Sequence, residues 1–225
     1  MNKLSPELSK IETWIFDLDN TLYHSSINLF DQIDKRMCSY VSNFLDISRS
    51  EAYKVQKSFF REYGTTLRGM MECHNMDPDS YLKYVHDIDF SIVRPDNIMA
   101  NALNILPKKK IIFTNATKDY TRKVISNLGI DRYIFDIFDI IDADYIPKPA
   151  PEIYDKFLEK FNINPEKAIM VEDMALNLIP AASLGMKTVW IKTGRFWAQN
   201  GIESIKPDYT TDNLSKWLAE ITDNK

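Results

Sequence analysis

Short apolar runs that end in polar residues recur along the chain, and they predict buried β-strands. The first run, residues 14–16, leads directly into Asp17 and Asp19. Further strands are predicted at residues 111–115, 135–141, 168–171 and 188–192. Turn-forming or charged residues follow these runs, as expected where a strand ends. The pattern therefore predicts five strands with polar side chains at their carboxyl ends.

Residues 24–92 have a different pattern, because their apolar positions recur at helical spacing. Helices are predicted at residues 27–45, 50–63, 67–73 and 81–87. The block contains no predicted strand and lies between the first and second strands. We therefore expect an inserted all-helical cap domain at residues 24–92 and a core domain formed by residues 1–23 and 93–225.

Strands and helices alternate in the rest of the chain. Helices are predicted at residues 96–106, 119–128, 152–161, 175–184 and 213–221. Pro147, Pro149 and Pro151 recur at every second position and exclude regular structure, so this segment is predicted to be a loop. The alternation predicts an α/β fold, namely a doubly wound, Rossmann-like parallel sheet with helices on both faces. In such sheets ligands bind outside the carboxyl ends of the strands.

Composition and charge narrow the possible partners. The chain has 225 residues, a net charge of −4 and a pI of about 5.5. It therefore lacks the basic field that attracts a nucleic acid polymer or an anionic membrane. No window approaches ~18 consecutive apolar residues, and the first ten residues do not resemble a signal peptide. Cys38 and Cys73 are far apart and lack metal-ligand spacing, which indicates reduced thiols and a cytoplasmic location.

Polar residues with chemical potential stand at the ends of the predicted strands and in the proline-rich loop. In chain order they are Asp17 and Asp19, Thr114 and Asn115, Lys148, and Glu172 and Asp173. Any one of them alone is typical of an ordinary turn or a solvated loop. Four such groups in series are more specific evidence for a single site.

This series resembles the motifs of the haloacid dehalogenase-like (HAD) hydrolase superfamily, over about residues 12–195. Residues 17–21, Asp-Leu-Asp-Asn-Thr, resemble its first motif, DxDx(T/V). The helical block resembles the C1 cap of subfamily I. Dehalogenases of this superfamily lack the second carboxylate and need no metal, so the presence of Asp19 and Asp173 favours phosphate chemistry.

The resemblance implies hydrolysis of a phosphate ester through an aspartyl-phosphate. Asp17 is expected to be the nucleophile and Asp19 the general acid and base, a role worth ~10²–10⁴-fold in rate. Mg²⁺ is expected between the Asp17 carboxylate, the Asp19 backbone carbonyl and Asp173. Lys148 would supply a second positive charge. Thr114 would donate its hydroxyl to a phosphoryl oxygen.

Four further residues are assigned by the same resemblance. Asn115 is expected to contact the substrate. Glu172 is expected to be a helix-start carboxylate or a hydrogen-bond acceptor around the site rather than a metal ligand. Asn177 stands where many relatives carry a carboxylate, so a water-mediated metal contact is expected. Ala116 replaces the usual glycine of the second motif, which should only narrow the choice of turn geometry.

The cap is expected to select the substrate, because it closes over the phosphate site. Residues 63–70 and 84–89 resemble the pyrimidine 5′-nucleotidase group, which implies a nucleotide such as UMP or CMP. Arg68 would then bind a phosphate or base oxygen, and Tyr63 or Tyr23 a base or sugar. From the residues alone, core packing of Tyr63 and a cap–core ion pair of Arg68 are equally favoured.

Two alternatives remain open at this stage. One is a phosphatase for a small metabolite such as phosphoglycolate or a sugar phosphate, and the other is a catalytically weak sensor of a phosphorylated ligand. The partner is expected to be a small phosphomonoester, with the protein a monomer or weak homodimer. His24, His74 and His86 share no spacing and are expected to be structural, and the lysine run at residues 108–110 is expected to be a solvated turn.

Overall fold

The computed structural model describes residues 4–106 and 109–223. Its strands are Thr13–Phe16 (β1), Lys109–Phe113 (β2), Asp136–Phe138 (β3), Ala168–Glu172 (β4), Lys187–Ile191 (β5) and Tyr209–Thr211 (β6). They form one parallel sheet in the order β3-β2-β1-β4-β5-β6. β2 and β3 lie on one side of β1, and the chain then crosses to the other side, where β4 pairs with β1. The carboxyl ends of β1 and β4 therefore meet at the topological switch point, where open α/β sheets bind ligands.

Among the described residues, five α-helices lie between β1 and β2, and four follow β2. They are Leu29–Leu45 (α1), Arg49–Tyr63 (α2), Thr66–His74 (α3), Pro78–Val85 (α4), Asn97–Ile105 (α5), Lys118–Leu128 (α6), Pro151–Phe161 (α7), Ala175–Ser183 (α8) and Leu214–Thr222 (α9). The described residues between β1 and α5 contain no strand. The predicted Rossmann-like sheet with an inserted helical cap is thus confirmed. The domain boundaries at residues 23/24 and 92/93 stay a prediction.

Side chains of β1 alternate between two buried layers, because successive strand residues point to opposite faces. Trp14 and Phe16 belong to the layer that contains residues of α5, α6 and α9, and the Trp14 ring lies 6.3 Å from that of Trp217. Ile15 belongs to the opposite layer, which contains residues of α7 and α8. Both faces of the central strand are therefore covered, which explains its continuous apolar run.

Helix α4 begins earlier than predicted. The side chain of Asp77 accepts a hydrogen bond from the backbone N–H of Ser80, and Pro78 occupies the first turn. Aspartate is a favoured N-cap, and proline fits the first helical position because its missing N–H would have no partner there. Residues 78–80, which lie before the predicted helix at 81–87, therefore form its first turn.

Two strands differ from the prediction. β3 is shorter than residues 135–141, because the Asp139 carboxylate accepts hydrogen bonds from the backbone N–H groups of Asp142 (2.9 Å) and Lys118 (2.8 Å) and turns the chain after Phe138. β6 was not predicted at all. It has three residues at the sheet edge and no apolar run, so its position depends on pairing with β5.

The lysine run was wrongly predicted as a solvated turn. Lys109 and Lys110 are the first residues of β2, and Lys108 lies outside the described residues. Lys110 is only 7% exposed, and its ammonium donates to the carbonyl oxygen of Leu106 at 2.7 Å. A long aliphatic stem allows a lysine to cover apolar surface while its charged end finds a polar partner.

The cap packs against the sheet domain at several places around the carboxyl edge. The backbone of Gly64, at the end of α2, lies against Pro147 in the proline-rich loop. Arg195, in the segment after β5, forms an ion pair of 2.8 Å with Asp31 of α1. The neighbouring Trp197 contacts aromatic rings of both α1 and α2. The cap therefore touches the core beside the strand ends that carry the predicted site.

No α-helix among the described residues has both the length and the apolar character needed to cross a membrane.

Candidate active site

The site is built around Asp17, the residue that follows β1. Its backbone N–H donates to the carbonyl oxygen of Val171 at 2.9 Å, so the ladder between β1 and β4 continues through this position. Asp17 as a whole is 7% exposed. Its Oδ1 accepts a hydrogen bond of 2.9 Å from the ammonium of Lys148, which comes from the proline-rich loop. The structure thus brings together two residues that are distant in sequence, as predicted.

Lys148 uses all three of its N–H donors inside the protein. They point to Asp17 Oδ1 (2.9 Å), Glu172 Oε2 (2.7 Å) and the carbonyl oxygen of Phe113 (2.8 Å). Burial alone would lower the pKa of Lys148, but the charges of Asp17 and Glu172 outweigh it and raise the pKa above its usual value. Lys148 is therefore a permanently charged ammonium buried beside the Asp17 carboxylate.

Asn115 holds the loop that carries Lys148. Its Oδ1 accepts from the backbone N–H of Lys148 at 2.8 Å, and its Nδ2 donates to the backbone carbonyl of Lys148 at 3.3 Å. The side chain thus positions the lysine backbone, a role that the sequence analysis did not foresee. Contact between Asn115 and a substrate stays a prediction.

Thr114 lies beside this pair at the end of β2 and is almost fully buried. Its Oγ1 accepts a hydrogen bond of 3.0 Å from the backbone N–H of Ala116. A hydroxyl has one donor and two acceptor positions. The contact with Ala116 uses one acceptor position, which leaves the hydroxyl proton for a ligand oxygen.

Three buried carboxylates converge at the ends of β1 and β4. One oxygen from each of Asp17, Glu172 and Asp173 lies within 4.8 Å of the others. Burial, followed by repulsion from Asp17, raises the pKa of Glu172 to about 7. Burial and the neighbouring Glu172 and Asp17 raise the pKa of Asp173 well above its usual value. When all three carboxylates are ionised, the cluster holds more negative charge than the single ammonium of Lys148 balances.

This cluster fits a hard divalent cation. Asp173 Oδ2 is buried and has no hydrogen-bond partner among the described residues, although a buried unpaired carboxylate oxygen is unfavourable. Mg²⁺ prefers carboxylate and carbonyl oxygens as ligands. The donor set and the unpaired oxygen therefore agree with the predicted metal, with Asp173 as its most clearly available ligand.

Glu172 and Asn177 interact with each other at the edge of the cluster. Asn177 Nδ2 donates to Glu172 Oε1 at 2.9 Å, while Glu172 Oε2 contacts Lys148. The backbone carbonyl of Asn177 accepts from the hydroxyl of Tyr154 at 2.6 Å. Glu172 is thus a direct partner of Lys148, and Asn177 orients Glu172. A water-mediated metal contact of Asn177 stays a prediction.

Asp19 is held by two tyrosines. Its Oδ1 accepts hydrogen bonds from the hydroxyls of Tyr23 (2.5 Å) and Tyr120 (2.6 Å). Burial and the charge of Asp17 raise the pKa of Asp19 to about 6, although both tyrosine hydrogen bonds oppose this rise. Tyr120 was missed by the sequence analysis, and its position in the helix after the Thr114 strand is too weak a signal to have found it.

The two cap residues predicted to bind the substrate have partners within the cap. The Tyr63 hydroxyl accepts a hydrogen bond of 3.3 Å from Cys73 Sγ. Arg68 forms an ion pair with Glu72 of the same helix at 2.5 Å. Within residues 4–106 and 109–223, the ion pair of Arg68 is thus one within the cap and not the cap–core pair considered above, because a partner one helical turn away is available. Substrate binding by either residue stays a prediction.

Tyr63 nevertheless belongs to a segment that touches the site. Gly64 has a φ of +79°, and a Cβ at this position would lie 3.2 Å from Pro147 Cγ and 3.6 Å from the carbonyl oxygen of Lys148. Glycine is favoured here because the backbone is left-handed and the approach is close. The end of α2 therefore rests on the loop that carries Lys148.

The arrangement has the parts that hydrolysis of a phosphate ester needs. It offers a carboxylate as nucleophile, a second carboxylate for proton transfer, a fixed ammonium, a hydroxyl donor and an oxygen cluster for a cation. The fold and this constellation define the class as a hydrolase with a capped Rossmann-like core. A model of the haloacid dehalogenase-like hydrolases matches residues 11–185, and the chain belongs to this family.

Three curated relatives of the chain have names that refer to phosphate chemistry. It is 28% identical over 229 residues to glyceraldehyde 3-phosphate phosphatase of Pyrococcus furiosus, covering 95% of this chain and 94% of that protein. It is 25% identical over 222 residues to pyrophosphatase PpaX of Bacillus mycoides, covering 95% and 98%. It is 26% identical over 197 residues to phosphate metabolism protein 8 of Saccharomyces cerevisiae, covering 78% of this chain and only 60% of that protein.

Solved structures share the fold. The HAD hydrolase YfnB of Bacillus subtilis, solved with bound magnesium, matches with a TM-score of 0.62 at 14% identity, covering 95% of this chain and 99% of that one. A HAD phosphatase from Thermococcus onnurineus matches with a TM-score of 0.57 at 20% identity, covering 92% and 96%. These structures agree with the fold of the chain.

Proposed function

We propose that this protein is a Mg²⁺-dependent phosphomonoesterase that acts through an aspartyl-phosphate on Asp17. The observation that supports this proposal is the pairing of the buried Asp17 carboxylate with the charged Lys148, next to a carboxylate cluster with an unpaired oxygen on Asp173. A carboxylate that only binds a ligand does not need this surrounding. A nucleophile that attacks an anionic phosphoryl group needs nearby positive charge.

The metal would be held by the carboxylates of Asp17 and Asp173 and by the backbone carbonyl of Asp19. When bound, a divalent cation neutralises the negative charge that collects on the phosphoryl oxygens during transfer. In this proposal Glu172 does not bind the metal: it stays paired with Lys148 and is oriented by the Asn177 amide, whose N–H it accepts.

In the first half-reaction, an Asp17 oxygen attacks the phosphorus atom, and the bond between phosphorus and the leaving oxygen breaks. The leaving oxygen takes a proton from the Asp19 carboxyl group, so the product is a neutral alcohol. Lys148 and the Thr114 hydroxyl stabilise the phosphoryl oxygens. The half-reaction ends with phosphate esterified to Asp17 and with Asp19 ionised.

In the second half-reaction, a water molecule gives one proton to the Asp19 carboxylate and attacks the phosphorus atom. The bond between phosphorus and the Asp17 oxygen breaks, which releases inorganic phosphate and restores the Asp17 carboxylate. Asp19 is again protonated and ready for the next cycle.

For the substrate we propose a pyrimidine nucleoside 5′-monophosphate, with Tyr63 and Arg68 as cap residues that contact the base, sugar or phosphate and Asn115 as a further contact. The proposal rests on the resemblance of residues 63–70 and 84–89 to the pyrimidine 5′-nucleotidase group. It is supported by the contact of Gly64 with Pro147, which puts the first of these segments beside the Lys148 loop.

A second candidate is a small phosphorylated metabolite. It is favoured by the identity over almost the whole chain with a phosphatase named for glyceraldehyde 3-phosphate. Both candidates use the same chemistry at Asp17 and differ only in the alcohol that the cap accepts.

The test is phosphate release from UMP, CMP, AMP, glyceraldehyde 3-phosphate, phosphoglycolate and glucose 1-phosphate. Each is assayed with Mg²⁺ and with chelator, beside the Asp17→Asn variant. We expect Mg²⁺-dependent release that is fastest from UMP or CMP and absent in the variant. Fastest release from a three-carbon or sugar phosphate would replace the nucleotide proposal and keep the chemistry. Release from none of them would refute the enzyme and leave a phospholigand sensor.

A further inference from the structure

Asp19 receives two phenol hydroxyls on the same oxygen. Tyr23 and Tyr120 both donate to Oδ1, at 2.5 and 2.6 Å. Both phenols are at most 4% exposed. They reach the carboxylate from different elements, since Tyr23 follows Asp19 by four residues and Tyr120 lies in α6. The described contacts include no donor to Oδ2.

The Tyr120 ring is itself braced by the chain that returns from the cap. The His86 ring stacks on it, with centroids 4.5 Å apart and planes 16° apart, and the Phe90 ring lies 5.8 Å away. His86 Nδ1 also contacts the hydroxyl of Thr117, the N-cap of α6, at 3.2 Å. Ring packing and the helix start therefore hold the hydroxyl of Tyr120 in a fixed place.

Because both donors bond to one oxygen, they fix the orientation of the Asp19 carboxyl group. A carboxyl oxygen has two lone pairs, and the two phenols use both pairs of Oδ1. The carboxyl group is then fixed in rotation, and Oδ2 is the oxygen left to exchange a proton with a bound molecule. General acid catalysis depends on such placement, because the acid has to lie within hydrogen-bond reach of the leaving oxygen.

We propose that Tyr120, together with Tyr23, is a positioning residue that fixes the Asp19 carboxyl group so that Oδ2 serves as its proton-exchanging oxygen. The proposal rests on the proposed phosphatase function and adds to it the residues that orient the general acid. Tyr120 acts through Asp19 and touches neither the phosphoryl group nor the metal in this assignment.

The test uses the leaving group as its readout. A good leaving group such as p-nitrophenolate departs without a proton, whereas an alkoxide needs one. We therefore measure kcat/KM with Mg²⁺ for p-nitrophenyl, phenyl and benzyl phosphate, using the wild type, Tyr120→Phe, Tyr23→Phe and the double variant. The expected result for Tyr120→Phe is a loss of less than about threefold with p-nitrophenyl phosphate and of about 10- to 100-fold with benzyl phosphate, part of the ~10²–10⁴-fold that a general acid supplies.

A matched control separates positioning from a general effect of losing a phenol. Tyr209 on the outermost strand β6 also donates its hydroxyl to a carboxylate oxygen, that of Glu7, at 3.0 Å. Tyr209→Phe should leave the dependence on the leaving group unchanged. The Asp19→Asn variant shows the dependence expected when the general acid is missing.

The decisive comparison adds Tyr120→Phe to the Asp19→Asn background. If Tyr120 acts through Asp19, the second substitution has no further effect on the dependence. A further loss in that background would mean that Tyr120 acts on the substrate directly, and it would overturn the proposal. An equal loss for all three leaving groups in the single variant Tyr120→Phe would also overturn it. If the wild type hydrolyses none of the three esters while Asp17→Asn is equally inactive, the proposed function fails instead.

Discussion

Replacing Lys148 by methionine tests whether the buried charge pair exists as described. Methionine keeps most of the volume and removes the ammonium, so Asp17 and Glu172 lose their shared partner. The Lys148 side chain is 1% exposed, and its bonds to the two carboxylates measure 2.9 and 2.7 Å. Removing one partner of a buried ion pair leaves an uncompensated charge and costs about 3–5 kcal/mol. We expect Lys148→Met to lower the free energy of unfolding by this amount near neutral pH, and to abolish phosphatase activity.

The loss should depend on pH in a defined direction. The pKa of Glu172 is about 7 in the folded protein, above its ordinary value of 4.5. A group whose folded pKa is raised contributes stability that is fully present below its unfolded pKa and is lost as the pH rises through the folded one. The charge of Lys148 lowers the pKa of Glu172. Without Lys148 the folded pKa of Glu172 is therefore higher, and the loss of stability with rising pH extends to higher pH and becomes larger. The deficit of the variant should therefore be largest above about pH 7 and smaller at about pH 5.

The assay is urea unfolding followed by tryptophan fluorescence at the two pH values, without divalent metal. Lys156→Met is the matched control, since its ammonium pairs with Asp144 at 2.6 Å but the two side chains are 43% and 78% exposed. Exposed pairs contribute about 0–1 kcal/mol, so this variant should resemble the wild type. A loss below about 1 kcal/mol for Lys148→Met, or a deficit that grows as the pH falls, would refute the buried charge pair.

Three further predictions concern the surroundings of this pair. Asp173→Asn removes a buried carboxylate whose Oδ2 lacks a partner among the described residues. The variant should therefore be more stable than the wild type by about 1–2 kcal/mol without metal, and Mg²⁺ should no longer raise its melting temperature. A lower metal-free melting temperature than that of the wild type would contradict this. Asn115→Ala removes both hydrogen bonds to the Lys148 backbone, so it should lower the free energy of unfolding by about 1–3 kcal/mol and reduce kcat. The control Asn127→Ala loses one exposed hydrogen bond within α6 and should change neither quantity in unfolding and rate measurements. Gly64→Ala adds a Cβ at a positive φ and only 3.2 Å from Pro147 Cγ, so it should lose more stability and more kcat/KM than Gly194→Ala, where φ is +73° and the added Cβ has nothing within 4 Å. The positive φ alone costs about 1 kcal/mol. Equal losses in the two variants would show that the contact with the loop is unimportant.

The sequence by itself determined the framework, because the signals for it are local. A buried parallel strand has to be a short apolar run, so β1, β2, β4 and β5 were visible within two residues of their bounds. The helical spacing of the apolar positions in residues 24–92 likewise predicted a helical block without strands. The series from Asp17 to Asp173 was readable because strand ends of a parallel sheet meet at one edge.

Only the tertiary structure decided which partner each polar group takes. Asn115 could bond to many groups in a flexible chain, and the fold selects the Lys148 backbone, whose N–H it accepts and to whose carbonyl it donates. Glu172 at the end of β4 pairs directly with Lys148 of the proline-rich loop, 24 positions away, a contact that no local pattern predicts.

The hydroxyl of Tyr120 shows the same limit most clearly. It reaches Asp19 across 101 positions of the chain, and its place depends on a ring stack with His86 from the segment that returns from the cap. Local propensity identifies Tyr120 only as a buried residue of an amphipathic helix. Its contact with Asp19 exists because sheet order, helix packing and cap placement bring three distant segments together, and these follow from the summed packing of the whole chain rather than from any one stretch of it.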